Sequence, residues 1–478
     1  MRKLEGLKPE RVFYYFEEIS KIPRESYHER EISNFLMQFG KEHQLESYQD
    51  ESFNVILRKK ASPGYEDAPG VILQGHMDMV CEKEEDSEHD FSKDPIDLII
   101  DGKYVTANRT TLGADNGIAV AMGLAILEDD SLRHGPLELL LTTSEEIDLG
   151  GALALQPGLL QGKMLINIDS EEEGILTVGS AGGEGIDITL PIEKINIRHP
   201  FAYRIKIQNF LGGHSGAEIH KQRGNANKAM IEILDLLKEK SDFLLVSVKG
   251  GSKDNAIPRT AEVVIASEEK LDMLLREVLK EVKELYASFE PQVEMFFEEI
   301  VNVYEAMDEN SFYRYINLME EIPTGVYTWM KDYPDIVEAS DNLAIVETEE
   351  DVIQITVSLR SSEPEVLARL KKYISSIAEK YKANYAFSGA YPEWRYRSVS
   401  PLREKAIQVW KELTGEDMEV SIIHAGLECG ALSQNYPDID FISIGPNMQD
   451  VHTPEEKLEI ASTEKAYQYL VKLLEELK

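Results

Sequence analysis

The chain has 478 residues, more than one hydrophobic core usually serves, so two domains are expected. Hydrophobic residues make up 42% and charged residues 29%, which excludes a disordered chain and suits a folded one. Lys and Arg number 50 against 87 Asp and Glu, and the net charge of −37 repels phosphate backbones and anionic membranes. No nucleic acid and no membrane partner is therefore expected, and the charge is read as a solubility feature.

The N-terminal stretch MRKLEGLKPERVFYYFEEI has helical spacing and no apolar signal core, and no later run is apolar enough to span a bilayer. Two cysteines, Cys81 and Cys429, are too few for a disulfide framework and fit a reducing compartment. A cytoplasmic location is expected.

From residue 55 to about 178 the chain alternates short apolar runs with helical segments. VILQGH (71–76), LELLLTTS (137–144) and MLINIDS (164–170) are predicted to be buried strands, and 116–129 a helix. That alternation implies an α/β layer with a mostly parallel sheet. SAGGEG (180–185) reads as a small-residue break, after which the texture changes. Strands at 201–208, 243–250, 261–266 and 352–360 interleave with amphipathic helices at 225–240, 270–285 and 363–382. A separate α+β domain inserted into the first is the reading: residues 1–186 and 391–478 form a discontinuous catalytic domain, and 187–390 a lid and dimerisation domain. Beyond the return near 391–401 come a helix at 402–413, strands at 420–423 and 441–444, and a last helix at 462–477.

The unusual polar residues fall at the strand ends. His76 closes the first run and Asp78 follows it; Glu145 and Glu146 follow the second, and Asp169 the third. Asp115 stands at the start of the helix, and His452 in the loop after the last strand. Each alone has a plain structural explanation: a packed His, a solvated pair of glutamates, an N-cap. Acids at the ends of buried strands are costly unless paired or metal-bound, however, and three successive strands end this way. In open α/β sheets the carboxyl ends of the strands form the ligand crevice.

GHMDMV (75–80), LGADNGIA (112–119), SEEIDLGGA (144–152), NIDSEEEG (167–174), GGHSG (212–216) and GPNMQDVHTPEE (445–456) together resemble the M20 metallopeptidases, within them the aminoacyl-histidine dipeptidase branch. The resemblance covers nearly the whole chain. It implies two divalent metal ions, zinc with manganese or cobalt as alternatives: His76, Asp115 and Asp169 on one, Glu146, His452 and bridging Asp115 on the other. It implies Glu145 as the general base, Asp78 as the partner that orients His76, and a cis peptide at Asp115–Asn116. A homodimer is implied, with His214 reaching across it to stabilise the oxyanion. Asn255, Arg360 and Gly426 would hold the carboxylate end of the substrate, the planar fork of Arg suiting that task. A tight turn around His214 and an ordinary surface role for Arg360 are the plainer alternatives. His424 is read either as lining the cleft or as packed structurally, and both cysteines as buried thiols. Asp148 stands where the family commonly has glycine.

The function expected is hydrolysis of unblocked dipeptides, Xaa-His including β-alanyl-histidine. The rivals are an N-acyl amino acid amidohydrolase of the same superfamily and a catalytically inactive binding homologue.

Overall fold

The computed structural model describes residues 2–331 and 334–478, which form two compact units. The first comprises the chain up to Ser180, Trp394–Ile422 and Leu427–Lys478; the second comprises Ala181–Glu393 and Ile423–Gly426.

The first unit is built on an eight-stranded mixed sheet, in the order Glu46–Gln49, Val55–Lys59, Leu137–Thr142, Val71–His76, Met164–Asn167, Asp440–Ser443, Ile175–Ser180, Glu419–Ile423. Its centre is parallel: Val71–His76 lies between Leu137–Thr142 and Met164–Asn167, and Asp440–Ser443 extends that direction. Every residue of Val71–His76 and of Leu137–Thr142 is buried, the continuous apolar run that a sheet covered on both faces demands. The helix Ala114–Glu128 is apolar nearly all round and packs between the helix Glu10–Ile19 and the strand Val71–His76. Helices Pro401–Thr414 and Ile460–Glu476 meet through Trp410 and Tyr469, ring edge to ring face at 5.2 Å.

Register fixes the rim. His76 stands opposite Thr142, Gln74 opposite Asn167, and Asn167 opposite Ser443, so the four parallel strands end side by side. The chain leaves all of them on one edge of the sheet, where open α/β folds place ligands. A small four-stranded sheet of Leu98–Asp101, Tyr104–Ala107, Lys457–Glu459 and Met448–Gln449 carries the loop that holds His452.

The second unit is a nine-stranded antiparallel sheet: Glu294–Ile300, Phe201–Gln208, Ala261–Ser267, Leu244–Gly250, Val337–Glu349, Val352–Ser361, Gly182–Pro191 and Asn384–Tyr391 in order, with Gly325–Trp329 paired to Val337–Glu349. Phe201–Gln208 and Val352–Ser361 alternate buried and part-exposed residues, the pattern of a sheet with one face on a core. The helices Ala226–Lys240, Asp272–Tyr286, Glu309–Glu321 and Pro364–Lys380 contribute to that core through one apolar stripe each.

The boundary between the two units falls inside SAGGEG, after Ser180. Residues 182–185 are not irregular, however: they open the strand Gly182–Pro191, which pairs along its length with Val352–Ser361 in the second unit. Its glycines are demanded by the neighbouring chain, since a Cβ at Gly182 would lie 2.6 Å from the Glu393 amide. Among the described residues no helix is long and apolar enough to cross a membrane.

Candidate metal centre

Five segments leaving the parallel rim and its neighbouring loops bring their polar side chains together. Asp115 turns one carboxylate oxygen to each of two histidines: Oδ1 lies 3.2 Å from His76 Nε2, and Oδ2 3.1 Å from His452 Nε2. Asp169 Oδ1 lies 3.5 Å from the same His76 nitrogen, and Glu146 Oε2 lies 2.9 Å from His452 Nε2. Glu145 Oε2 stands 3.8 Å from His76 Nε2. The Asp115–Asn116 peptide is cis.

Asp78 connects these parts. Its Oδ1 is 3.3 Å from His76 Nδ1 and accepts the backbone N–H of Glu145 at 3.2 Å. Its Oδ2 accepts the Ser26 hydroxyl at 2.8 Å and the Glu146 N–H at 3.3 Å. With Asp78 beside Nδ1, Nε2 is the ring nitrogen that faces Asp115 and Asp169. Burial opposes the charge on Asp78, but the contacts with His76, Ser26 and the Glu145 amide hold its pKa below the usual carboxylate value.

The electrostatics are those of too many buried acids. Burial raises the pKa of Glu145, with the Glu146, Asp169 and Glu428 charges adding to it, and raises Glu146 to about 7, with Asp115 adding. Desolvation works against His76 and His452, yet the surrounding carboxylates outweigh it, taking His76 well above its usual value and His452 to about 11. Two imidazoles do not balance Asp78, Asp115, Glu145, Glu146 and Asp169, and Glu146 Oε1 is buried without a hydrogen-bond partner. His76, Asp115 and Glu146 each offer a ligand atom, all within 4.8 Å of one another. A mixed imidazole and carboxylate donor set with surplus negative charge fits divalent cations.

Several further residues support the site. Arg24, fully buried, donates through Nη1 to the carbonyls of Met77 (3.1 Å) and Asp78 (2.8 Å) and through Nη2 to that of Gly113. Glu456 accepts the amides of Leu112, Gly113, Ala114 and Asp115. Asn116 accepts the His76 amide at 3.3 Å and donates to the Ile168 carbonyl at 2.6 Å, which ties two strand ends together. Gly75 makes room for that side chain, for its Cβ would lie 2.2 Å from Asn116 Oδ1. Glu428, fully buried, receives Gln74 Nε2 at 2.6 Å and the Thr142 hydroxyl at 2.7 Å. Asp148 has a local duty, accepting the Gly150 amide at 2.9 Å and the Tyr27 hydroxyl at 3.1 Å.

The remaining candidates lie in the second unit. His214 Nδ1 accepts the amides of Gly216 (3.1 Å) and Ala217 (3.0 Å), so its proton is on Nε2. Its loop is stitched to that of Asn255 by the Ser215 amide on the Asn255 carbonyl, at 2.8 Å. His214, Arg360 and His424 converge on Gly216, where a Cβ would lie 3.1 Å from His214 Cε1, 3.2 Å from Arg360 Nε and 2.4 Å from the His424 carbonyl. Asn255 and Arg360 line one cavity of about 600 Å³, whereas His214 and Gly426 are not on its wall. His424 is packed: its Nε2 is 2.8 Å from the Ser340 hydroxyl, and burial with the Arg360 charge lowers its pKa to about 3. Both cysteines are free; Cys429 is buried, but Cys81 is only half-buried.

Residues 72–476 match the model of peptidase family M20/M25/M40. The chain is 36% identical to the cytosol non-specific dipeptidase of Escherichia coli (strain K12), over 100% of this chain and 99% of that protein. It is similar to the crystal structure of aminoacylhistidine dipeptidase from Vibrio alginolyticus, with a TM-score of 0.86, 35% identity, and 99% and 98% of the two chains covered. Aminopeptidase PepT from Bacillus cereus shares the fold at a TM-score of 0.57 and 16% identity, covering 98% of this chain and 99% of the other. With the family model spanning most of the sequence and a full-length relative above one-third identity, the chain belongs to peptidase family M20/M25/M40.

Proposed function

We propose that this protein is a metal-dependent dipeptidase that hydrolyses unblocked dipeptides, Xaa-His among them. The observation that carries this reading is the bridging posture of Asp115, one oxygen toward His76 and the other toward His452, with Glu146 and Asp169 completing the two halves. Full-length similarity to two proteins named as dipeptidases supports the substrate class.

His76, Asp115 and Asp169 would hold one divalent ion, and Glu146, His452 and Asp115 the other, zinc being the ion we favour over manganese or cobalt. Ions bound there supply Lewis acidity toward the scissile carbonyl and make water more acidic. Glu145 takes the proton from the attacking water and returns it to the leaving amine. Its backbone is fixed by the hydrogen bond to Asp78 and its carboxylate faces His76, while neighbouring Glu146 is turned to His452. Asp78 keeps the His76 ring in the orientation that presents Nε2.

In the second unit, His214 offers an Nε2–H suited to a developing oxyanion, and Arg360 and Asn255 offer a cavity suited to the substrate carboxylate. We assign Gly426 to the same carboxylate-binding group. We assign the first unit the catalytic role and the second the roles of lid and homodimer contact. The name of the Escherichia coli relative supports a cytoplasmic location.

The test is a panel of dipeptides, including alanyl-histidine and β-alanyl-histidine, beside N-acetylated amino acids. Cleavage of the free dipeptides supports the reading; cleavage of the acylated amino acids alone replaces it with an amidohydrolase.

A further inference from the structure

Three neighbouring strands of the second unit put Arg360, Gly183 and Tyr391 in one row. Arg360 is in register with Gly183, and Gly183 with Tyr391. Next-but-one strands lie about 10 Å apart, too far for most side chains to meet over an intervening residue. Here the middle residue has no side chain, and Arg360 Nη1 donates to the Tyr391 hydroxyl above it. A Cβ at Gly183 would lie 2.4 Å from that hydroxyl oxygen, and one at Gly426 would lie 2.8 Å from the Tyr391 ring. The phenol therefore occupies a slot that two glycines leave open.

The chemistry of the partner matters. Arg360 is 7% exposed, its Nε–H is buried without a partner, and among the described residues no carboxylate forms an ion pair with it. A buried guanidinium is ordinarily matched by an acid, which holds it but also neutralises it. A phenol holds it by a hydrogen bond and leaves its charge for an incoming anion. Burial pushes the Tyr391 pKa up, with the Asp254 charge adding to it against Arg360, so the hydroxyl stays protonated near neutral pH. Both side chains line the cavity that Asn255 shares.

We propose that Tyr391 is the positioning residue for Arg360, fixing the guanidinium for the carboxylate of a dipeptide without cancelling its charge, and that Gly183 and Gly426 exist at their positions to seat it. The proposal rests on the reading that Arg360 receives the substrate carboxylate. It adds to Gly426 a duty toward Tyr391, through the space its missing side chain leaves.

The experiment compares alanyl-histidine with its C-terminal amide, as the ratio of kcat/KM for the free acid to that for the amide. It uses the wild type, Arg360→Gln, Tyr391→Phe and Gly183→Ala. Tyr391→Phe removes one hydrogen bond to a charged group and should narrow the ratio about tenfold, mainly through KM for the free acid. Gly183→Ala, which keeps the hydroxyl but displaces it, should narrow the ratio in the same direction. If Arg360→Gln narrows the ratio while both other variants keep the wild-type value, the role of Tyr391 is overturned and that of Arg360 stands. If Arg360→Gln also leaves the ratio unchanged, the carboxylate reading of Arg360 fails, and this proposal with it.

Discussion

Glu456 holds the backbone of Asp115 from 341 residues away in the chain. Its Oε2 accepts the amides of Leu112 (2.7 Å) and Gly113 (3.0 Å), and its Oε1 those of Ala114 (2.8 Å) and Asp115 (3.3 Å). These amides precede the helix Ala114–Glu128 or open it, and have no carbonyl of that helix to bond. A single buried carboxylate thus caps the helix that carries the bridging ligand, four residues past His452 on the same loop.

Glu456→Gln should therefore destabilise the first unit by about 2–4 kcal/mol, because an amide group would face two N–H donors with a donor of its own. Urea midpoints of the variant and the wild type measure this directly. A stability difference under about 0.3 kcal/mol, taken from the midpoint shift and the denaturant slope, would mean the four amides find water instead.

Asp78→Asn keeps the shape of the side chain but removes the carboxylate from His76 Nδ1. Loss of such an orienting partner typically costs about 10- to 100-fold in metal affinity or activity. Titration of the chelated variant with zinc, followed by recovery of dipeptide cleavage, is the measurement.

Chelation should lower the thermal midpoint as well as abolish turnover. Without cations, Asp115, Glu145, Glu146 and Asp169 share a buried space with only two imidazoles between them. Any ion that binds the native state alone stabilises it in proportion to the logarithm of its concentration. Scanning calorimetry before and after chelation, and again after zinc is restored, checks both the loss and its reversal.

His424 gives a pH dependence in the second unit. Burial, with Arg360 nearby, sets its folded pKa at about 3, below the usual value of 6.5. The unfolded chain binds the proton more readily, so this contribution to stability is fully present above pH 6.5 and lost as pH falls toward 3. Denaturant midpoints of the wild type and His424→Gln across that range should converge as pH falls, and a constant difference would contradict the assignment.

How much of this was written in the sequence depends on whether a residue's partner leaves a pattern. His76, Glu145, Glu146 and Asp169 stood out because each closes or follows a largely buried apolar run, and those runs became the parallel centre of the sheet. Arg24 and Glu456 did not, because their partners are backbone carbonyls and amides, which look alike in any sequence. SAGGEG showed where the units divide but hid the start of the strand Gly182–Pro191, because the strand's glycines answer to neighbours that only the fold brings close. The strand Val337–Glu349 was hidden in the same way: its Ser340, Asp341 and Asn342 are buried against other parts of the second unit and interrupt the apolar alternation.

The most direct test of the central claim compares wild type and Glu145→Gln, each loaded with zinc and with metal content measured by elemental analysis, for hydrolysis of alanyl-histidine. Two ions per chain in both proteins, with kcat about 100- to 10,000-fold lower in the variant, is the expected result. Equal turnover by the two proteins at equal metal content would contradict the role of Glu145 as the proton carrier, and failure of the wild type to cleave any dipeptide would contradict the proposed activity itself.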